Sequence, residues 1–451
     1  MEKQREQWGS KIGFILAAAG SAVGLGNIWK YPYLVGENGG AAFILVYLIC
    51  VLLVGLPIAV AEILIGRTAQ QNPVGSFRIL TNGNRFWMGI GLLGVLAGFI
   101  ILSYYNVIAG WSLGYVIQSI GGRFESMIHP QQAGEMFSCL SASTGWCVGY
   151  HLLFMALTVG IIYAGVTKGI ERASKVLMPL LFLLIVVLVI RGITLPGARP
   201  GIRYLLKADF SAITADAVLL ALGQAFFSLS LGMGALLTYG SYMSRRENII
   251  TSTSWIVGLD TLIALLAGFM IFPALFAMGL EPAQGPALIF NMLPVLFNDI
   301  PGGYFFRILF FILLALAALT STISLLEVIT SFLVDEYHFR RHRVAVIMGG
   351  LIALFGIPSA LSFGAWSEIR IAGKTFFDLS DFIAANILLP VGGLCIALFV
   401  GWFWRSGSVK TELLTGTQTL PVWISGLWIF LIRFIAPVLV LIIFLQKIGI
   451  L

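Results

Sequence analysis

Charge is scarce in this sequence. Only 10% of the 451 residues are Asp, Glu, Lys or Arg, whereas soluble proteins carry about 25% charged residues. A soluble core of this size needs a charged shell, and there are too few charges to form one. The scarcity excludes a soluble enzyme, a soluble DNA-binding protein and a disordered scaffold.

Cysteine and histidine are also few. Four cysteines are too few for a disulfide scaffold, and no Cys/His spacing resembles a zinc site. Cys139 and Cys147 share one polar loop and could pair if that loop faces outward, whereas Cys50 and Cys395 lie in apolar runs and are expected to serve packing. The four His are isolated and no nucleophile–base constellation appears, so the sequence predicts no enzyme.

Apolar residues are abundant instead. The chain is 59% hydrophobic, with a mean hydropathy of +0.97. Apolar stretches of about 20 residues predict membrane-spanning helices. Eleven such stretches are found, at 11–36, 40–66, 88–120, 150–167, 174–192, 212–240, 247–279, 303–335, 343–358, 379–404 and 420–446. The stretch 282–298 is proline-rich and predicts a loop with a short re-entrant helix. The fold class is therefore an all-α integral membrane protein.

The positive charges indicate orientation rather than a nucleic-acid partner, because they are scattered in short loops and form no basic face. Sixteen of the 27 Lys and Arg fall on the inner side if the N-terminus is cytoplasmic, as the positive-inside rule favours. Eleven spans then place the C-terminus outside. We expect membrane lipid, and no nucleic acid, as the surroundings.

Two spans are interrupted near mid-membrane by Gly-x-Gly, in residues 21–27 and 228–234. They lie five spans apart and so run in opposite directions. Broken helices in matching positions of two inverted halves point to a transporter binding site. We therefore predict a 5+5 inverted repeat, 1–192 and 193–405, followed by an appended eleventh helix in 406–451. Close helix packing is the alternative explanation for either break alone.

Unwinding a helix inside a bilayer frees backbone groups where no water can meet them, which is tolerated only beside a cavity or ligand. Freed carbonyls suit a bare cation. The N-terminus of the following half-helix carries positive dipole and suits a carboxylate. A zwitterion with a sodium ion beside it fits such a pair of breaks.

Several segments resemble the neurotransmitter:sodium symporter family, in its eleven-helix bacterial branch. They are residues 20–32, 37–40, 168–172, 223–230, 319–322 and 335–336, and the match runs from residue 1 to about residue 405. The resemblance implies the LeuT fold, with broken first and sixth helices. It also implies a sodium-coupled secondary symporter that imports hydrophobic and aromatic L-amino acids by alternating access across a bacterial plasma membrane.

The resemblance implies two Na⁺ sites. The first would use Ala22, Asn27, Ser228 and Asp260, and the second Gly20, Val23, Ala317, Thr320 and Ser321. From the residues alone, the two hydroxyls of the second site could instead bond the carbonyl one turn back. Likewise, Asp260 could pair with a buried donor.

Asp260 departs from the Asn that is common in the family, and an anionic ligand binds a cation more strongly. Tyr47, Gln224 and Ser228 match the family's chloride neighbourhood, but Ala264 stands where a Ser would be. We therefore predict chloride independence.

The resemblance also implies a substrate pocket. Its residues would be Ala22, Gly24, Leu25, Gly26, Ile101, Tyr105, Phe227, Ser230, Met233, Ser321 and Leu325. Gly24 leaves space for the substrate's own carboxylate, to which Tyr105 would hydrogen-bond. The other end is apolar, and the flexible Met233 suits aromatic guests.

Gates follow from the same resemblance. The outer gate would pair Lys30 with Asp381, with Tyr105 and Phe227 as the lid, and the inner gate would use Arg5, Trp8 and Asp335. From the residues alone, each charge pair could also be surface or snorkelling charge that contributes little.

Three further residues are predicted to support the transport cycle. Glu62 is costly alone in mid-helix and is expected to accept from amides freed around Gly232, a structural role. Gly169 weakens the start of the fifth helix and Pro179 removes an internal hydrogen bond. We therefore expect the inner half of that helix to unwind.

Other functional classes fit less well. A channel needs a continuous polar pore, whereas the polar residues cluster at midplane beneath apolar lids. An intramembrane enzyme needs a His/Asp or Ser/His pair. A non-transporting, substrate-sensing receptor of the same fold is the alternative left open, together with substrate ranking, stoichiometry and oligomeric state.

Overall fold

The computed structural model describes residues 6–127, 129–279, 288–416 and 422–450, and these residues are helical apart from loops and one isolated bridge, Ile371–Lys374. In chain order the helices are α1 (Lys11–Ala22), α2 (Gly26–Glu37), α3 (Ala41–Ala69), α4 (Pro73–Leu80), α5 (Arg85–Ile120), α6 (Pro130–Ala142), α7 (Thr144–Tyr163), α8 (Val166–Ile193), α9 (Arg199–Leu206), α10 (Ala215–Ser228), α11 (Ala235–Gly240), α12 (Ile249–Ala277), α13 (Leu293–Leu296), α14 (Gly303–Tyr337), α15 (Arg341–Leu361), α16 (Phe376–Phe403), α17 (Ser406–Leu414) and α18 (Trp423–Lys447).

Within the described ranges, nine helices are long and apolar enough to cross a membrane. They are α3, α5, α7, α8, α12, α14, α15, α16 and α18. The pair α1 and α2, bent by 54°, makes a tenth span. The predicted all-α membrane fold is confirmed. The span predicted at 212–240 corresponds to α10 and α11, which are separately too short, so the number eleven and the repeat boundaries stay predictions.

The two longest helices, α5 and α14, have 36 and 35 residues and pack against each other. At 1.5 Å per residue, α5 is about 54 Å long, well beyond the roughly 30 Å of a hydrocarbon core. Large apolar side chains such as Leu354, Phe355 and Val438 are exposed on the outer surface. A helix long enough to cross a bilayer and an apolar outer surface both fit a lipid environment.

The first break lies between α1 and α2. Helix α1 ends at Ala22, and Val23 is extended, with φ −66° and ψ 111°. A side chain on Gly24 would crowd its surroundings, since a Cβ there would lie 2.6 Å from Ser321 Oγ and 2.9 Å from the Tyr105 hydroxyl. The glycine therefore allows Ser321 and the Tyr105 hydroxyl to approach the break closely.

The second break lies between α10 and α11. Gly232 and Gly234 have φ of +82° and +75°, in the left-handed region that favours glycine, and Ser230 is held at φ +54°. A Cβ on Gly232 would also lie 2.3 Å from Leu389 O on α16. Glycine is needed at this break for two reasons: the backbone adopts the left-handed conformation, and Gly232 packs closely against α16.

Some predicted boundaries were wrong. The segment assigned to a polar loop contains α6, whose start is capped where His129 N donates to Gln132 Oε1 at 3.1 Å. The fifth helix begins at Val166 with a π-helical turn, before the predicted residue 174. The described part of the re-entrant stretch holds short helical turns, Leu288–Met292 and α13, while 282–287 lies outside the described residues.

Cys139 and Cys147 do not form the possible disulfide, and both are free thiols. Cys139 is exposed, whereas Cys147 is buried in α7 and accepts from Trp111 Nε1 at 3.3 Å. Helix α7 begins at Thr144, so it carries Cys147 into the core.

We predict that Gly66→Ala destabilises the packing of α3 against α11. The added Cβ would lie 1.9 Å from Leu237 O, and such overpacking typically costs about 1–3 kcal/mol. Thermal unfolding of the purified protein in detergent should show a lower midpoint. Gly149→Ala is the matched control, since nothing lies within 4 Å of a Cβ there. Equal midpoints for the two variants would contradict the prediction.

Candidate functional site

Asn27, Ser228 and Asp260 form one buried polar group, which we term the first oxygen cluster together with Ala22. Asp260 accepts from Asn27 Nδ2 at 2.7 Å and from Ser228 Oγ at 2.7 Å. All three side chains are at most 2% exposed, and Ala22 lines the adjoining cavity. These residues come from α1, α2, α10 and α12, so the cluster joins both broken helices to α12.

The Asp260 carboxylate has no basic partner within 4 Å in the described part of the chain. A buried, uncompensated charge is costly, and a cation beside it would remove that cost. Asn27 turns its Nδ2 toward Asp260 and Ser228, and its Oδ1 accepts from Gly24 N at 3.1 Å. The amide must therefore turn over for the oxygen to face a cation beside Asp260. The cluster can then hold a small hard cation.

The second oxygen cluster lies between α1 and α14. Thr320 Oγ1 donates to Ala317 O at 2.9 Å and approaches Val23 O at 3.4 Å. Ser321 Oγ lies 3.2 Å from Val23 O and 3.3 Å from Ala317 O. Gly20 adjoins them, since a Cβ there would lie 3.2 Å from Thr320 Cβ. The hydroxyls thus bond one turn back and also reach across to the broken helix.

No group of three or more His, Cys, Asp and Glu that could hold a metal occurs among the described residues. Both clusters instead combine neutral oxygens with at most one carboxylate. Such ligands suit an alkali cation better than a transition metal.

A central cavity of about 40 Å³ lies between the two clusters. Its lining residues are Ser21, Ala22, Gly24, Gly26, Ile101, Tyr105, Phe227, Ser228, Ser230, Met233, Ser321, Ser324 and Leu325. The structure therefore brings together every predicted pocket residue except Leu25, which lines the adjoining cavity. Ser21 and Ser324 were missed, although Ser324 lies one helical turn after Ser321 and so shares its face.

One end of the central cavity is polar and the other apolar. At the polar end, Leu25 N donates to the Tyr105 hydroxyl at 3.1 Å, close to Gly24. Helix α2 begins there with its dipole positive, an arrangement that favours an anionic group. At the apolar end lie Ile101, Met233 and Leu325. The chemistry of the lining thus matches a carboxylate at one end and an apolar group at the other.

A larger cavity of about 330 Å³, which we term the vestibule, adjoins the central cavity. Tyr105 and Phe227 line both spaces and so lie between them. Lys30 and Asp381 both line the vestibule, but no ion pair joins these two described residues. Lys30 Nζ lies 4.5 Å from the centre of the Phe227 ring instead. The predicted outer pair is thus apart in this conformation.

The opposite end of the bundle is closed by the N-terminal segment. Trp8 is 8% exposed, its Nε1 donates to Tyr239 O at 2.9 Å, and its backbone N donates to Tyr242 O at 3.1 Å. Arg5 lies outside the described residues, and Asp335 Oδ2 accepts from Asn72 N at 2.9 Å. Trp8 is therefore fastened to α11 and to the turn that follows it.

Glu171 holds the same segment to the start of α8. Its carboxylate accepts from Gly9 N at 2.7 Å and from Ser10 Oγ at 2.9 Å, and it pairs with Lys175 at 2.7 Å. Gly169 lies in the π-helical turn that opens α8, and Pro179 lies inside the helix. This stretch combines irregular backbone with a proline, which removes a backbone donor.

Glu62 Oε1 accepts from Gly232 N at 2.7 Å, and its side chain is fully buried. The carboxylate therefore meets a backbone donor freed by the second break, where the sequence analysis placed it.

Comparisons with known proteins agree on one family. The family model described as the sodium:neurotransmitter symporter family matches residues 5–132 and 141–450. An uncharacterised sodium-dependent transporter, YhdH of Bacillus subtilis (strain 168), is 41% identical over 450 residues, which cover 100% of this chain and 99% of the relative. An uncharacterised sodium-dependent transporter of Haemophilus influenzae is 39% identical, covering 99% of this chain and 98% of the relative.

A solved structure is similar over nearly the whole length. The crystal structure of MhsT in complex with L-phenylalanine is 48% identical in sequence, with a TM-score of 0.89, and the match covers 98% of this chain and 100% of MhsT.

Proposed function

Because the chain belongs to the sodium:neurotransmitter symporter family, a family of transporters and not of enzymes, we propose that it imports hydrophobic and aromatic L-amino acids with two sodium ions. Sodium-coupled transport itself follows from the family and from the sodium-dependent transporters it resembles. The number of ions, the substrate class and the independence from chloride are the proposal.

The observation that carries the proposal is the buried, uncompensated Asp260 carboxylate beside the central cavity. One Na⁺ binds there with oxygens of Ala22, Asn27 and Ser228. The substrate carboxylate lies against the start of α2 and completes that ion's coordination. Ion and substrate then stabilise each other, which is the physical basis of coupled binding.

The second Na⁺ binds at the second oxygen cluster, with carbonyls of Gly20, Val23 and Ala317 and hydroxyls of Thr320 and Ser321. The two hydroxyls then use their lone pairs on the cation, and the ion draws α1 and α14 together. Two charges moving through 100 mV yield about 4.6 kcal/mol, at 2.3 kcal/mol each. That energy supports uphill uptake before any concentration gradient is counted.

The protein contacts the substrate at both ends of the central cavity. Tyr105 donates its hydroxyl hydrogen to the carboxylate, and Gly24 leaves the room for it. Phe227, Met233 and Leu325 receive the side chain, and Met233 can repack around guests of different size. That MhsT was crystallised with L-phenylalanine supports an aromatic substrate.

Alternating access follows from the asymmetry of the two ends. The vestibule is open in this conformation, while Trp8 and the contacts of Glu171 close the other end. In the opposite conformation Lys30 pairs with Asp381, and the latch of Arg5, Trp8 and Asp335 opens. The N-terminus is cytoplasmic and the C-terminus outside, in a bacterial plasma membrane.

Sodium-dependent binding of labelled Leu, Trp and Tyr to the purified protein tests the proposal. Gly24→Asp should abolish binding, because two like charges about 4 Å apart repel by roughly 4 kcal/mol near a surface, about a thousandfold in affinity. Gly223→Ala is the control, as nothing lies within 4 Å of a Cβ there. Equal substrate affinity with and without sodium would refute the proposal. Sodium-driven counterflow in proteoliposomes separates this carrier from a receptor of the same fold, which would bind without counterflow.

Chloride replacement is the second test. Gln224 Nε2 donates to Gly26 O at 3.1 Å, and Tyr47 packs on Tyr31 with ring centres 4.9 Å apart. Asp260 supplies the fixed negative charge in this neighbourhood, so uptake should be unchanged when gluconate replaces chloride. Asp260→Asn should weaken sodium binding by about tenfold or more, the effect of losing roughly 1.4 kcal/mol or more of charge attraction. The exposed Asp209→Asn is the control. A large loss of uptake in gluconate would count against chloride independence.

Unwinding of α8 is the third test. The segment from Gly169 to Pro179 releases the second Na⁺ toward the Trp8 end when it loses its helical hydrogen bonds. Amide hydrogen exchange in 166–178 should therefore be at least about tenfold faster without sodium than with sodium and substrate. Amides in the middle of α5 should stay equally protected in both conditions. Slow exchange in 166–178 in every condition would contradict the mechanism.

A further inference from the structure

His151 lies where three scaffold helices, α5, α7 and α15, meet, and it is fully buried. Its Nε2 lies 3.0 Å from Ala353 O on α15, and its Nδ1 lies 2.9 Å from Asn106 Nδ2 on α5. Asn106 Nδ2 also donates to His151 O at 2.7 Å. Two side chains thus connect three helices through three hydrogen bonds.

The partners determine the form of the imidazole. A carbonyl such as Ala353 O can only accept, so Nε2 carries the hydrogen. The amide nitrogen of Asn106 can only donate, so Nδ1 presents its lone pair. His151 is therefore a neutral ring in the Nε2–H form, with both nitrogens in use.

Two glycines bring the helices close around this ring. A Cβ on Gly356 would lie 2.7 Å from His151 Cε1 and 2.4 Å from Ser103 O, and a Cβ on Gly110 would lie 2.8 Å from His151 N. Small residues permit such close approach between membrane helices. The junction leaves α5 little freedom to rotate or slide.

Asn106 directly follows Tyr105, whose hydroxyl meets Leu25 N and whose ring lines both the central cavity and the vestibule. On one helix, a rotation that moves Asn106 moves Tyr105 by the same angle. Displacement of a positioning group by about 1 Å is enough to lose much of its effect.

We propose that Asn106 and His151 are a positioning pair that fixes the Tyr105 hydroxyl where the substrate carboxylate binds. The identity of the ligand rests on the function proposed above. The pair touches neither cavity, and it acts through the rotation of α5.

Sodium-dependent binding of labelled L-phenylalanine tests the pair. His151→Leu and Asn106→Leu should each weaken substrate affinity by about tenfold, the effect of one misplaced hydrogen bond. In a Tyr105→Phe background the same changes should weaken affinity less than about twofold, since the hydroxyl they position is gone. Thr158→Val is the matched control, because Thr158 is another buried polar residue of α7 and bonds Thr322 at 2.8 Å on α14.

Rescue variants separate positioning from packing. In His151→Asn the side-chain oxygen can replace Nδ1 as acceptor for Asn106, whereas in His151→Gln the terminal amide can replace Nε2 as donor to Ala353. Because the link to Tyr105 runs through Asn106, His151→Asn should recover more substrate affinity than His151→Gln. These polar variants also serve if the leucine variants do not fold.

Hydrogen exchange gives a readout that does not depend on the transported molecule. The Leu25 amide is bonded to the Tyr105 hydroxyl, so it should exchange faster in His151→Leu and unchanged in Thr158→Val. If the parent chain binds no labelled amino acid, the proposed function fails while this measurement still tests the pair. Equal affinity losses with and without the Tyr105 hydroxyl, better rescue by Gln than by Asn, or unchanged exchange at Leu25 would each overturn the inference.

Discussion

The bilayer offers no water to a free backbone group, and this constraint explains the centre of the molecule. Two helices are interrupted there, and the groups they release find partners on other elements. Gly232 N donates to Glu62 at 2.7 Å, Leu25 N to Tyr105 at 3.1 Å and Gly24 N to Asn27 at 3.1 Å. Ser230 Oγ donates to Ser21 O at 2.9 Å and so joins the two breaks directly. The irregular backbone persists because neighbouring helices satisfy it.

The same constraint limits where charge can lie. Glu62 and Asp260 are both fully buried carboxylates near the breaks, but their surroundings give them different roles. Glu62 accepts a hydrogen bond from Gly232 N in the second break, so the backbone of the fold stabilises its carboxylate. Asp260 accepts from side chains of Asn27 and Ser228, which can turn toward a cation. Glu62 is thus held by the backbone of the fold, whereas Asp260, whose partners are side chains, is the proposed sodium ligand.

Sequence reasoning predicted the features that one stretch of chain determines alone and those that the family resemblance supplied. Gly-x-Gly in residues 21–27 and 228–234 located both breaks, and the resemblance placed the pocket residues that line the central cavity. Sequence reasoning failed where contacts between distant segments determine whether a helix forms or which partners a side chain has. Helix α6 was missed because its stability comes from packing, such as Phe137 on Phe290 with ring centres 5.4 Å apart. His151 looked isolated, because its partners Asn106 and Ala353 are 45 and 202 residues away.

The junction of Asn106 with His151 and the contacts of Ser321 in the second oxygen cluster differ in the lengths of their hydrogen bonds. The Asn106–His151 contacts, at 2.7 and 2.9 Å, join α5 to α7 through two residues that line neither cavity. The contacts of Ser321 to Val23 O and Ala317 O, at 3.2 and 3.3 Å, lie where an ion would enter. Longer bonds are weaker and less directional, so giving them up to a cation costs little. A transporter needs both strong and weak hydrogen bonds, because a binding region that reorganises has to move relative to helices that stay in place. Tyr105 connects the two regions: its helix α5 carries Asn106, while its hydroxyl accepts from Leu25 N at the first break.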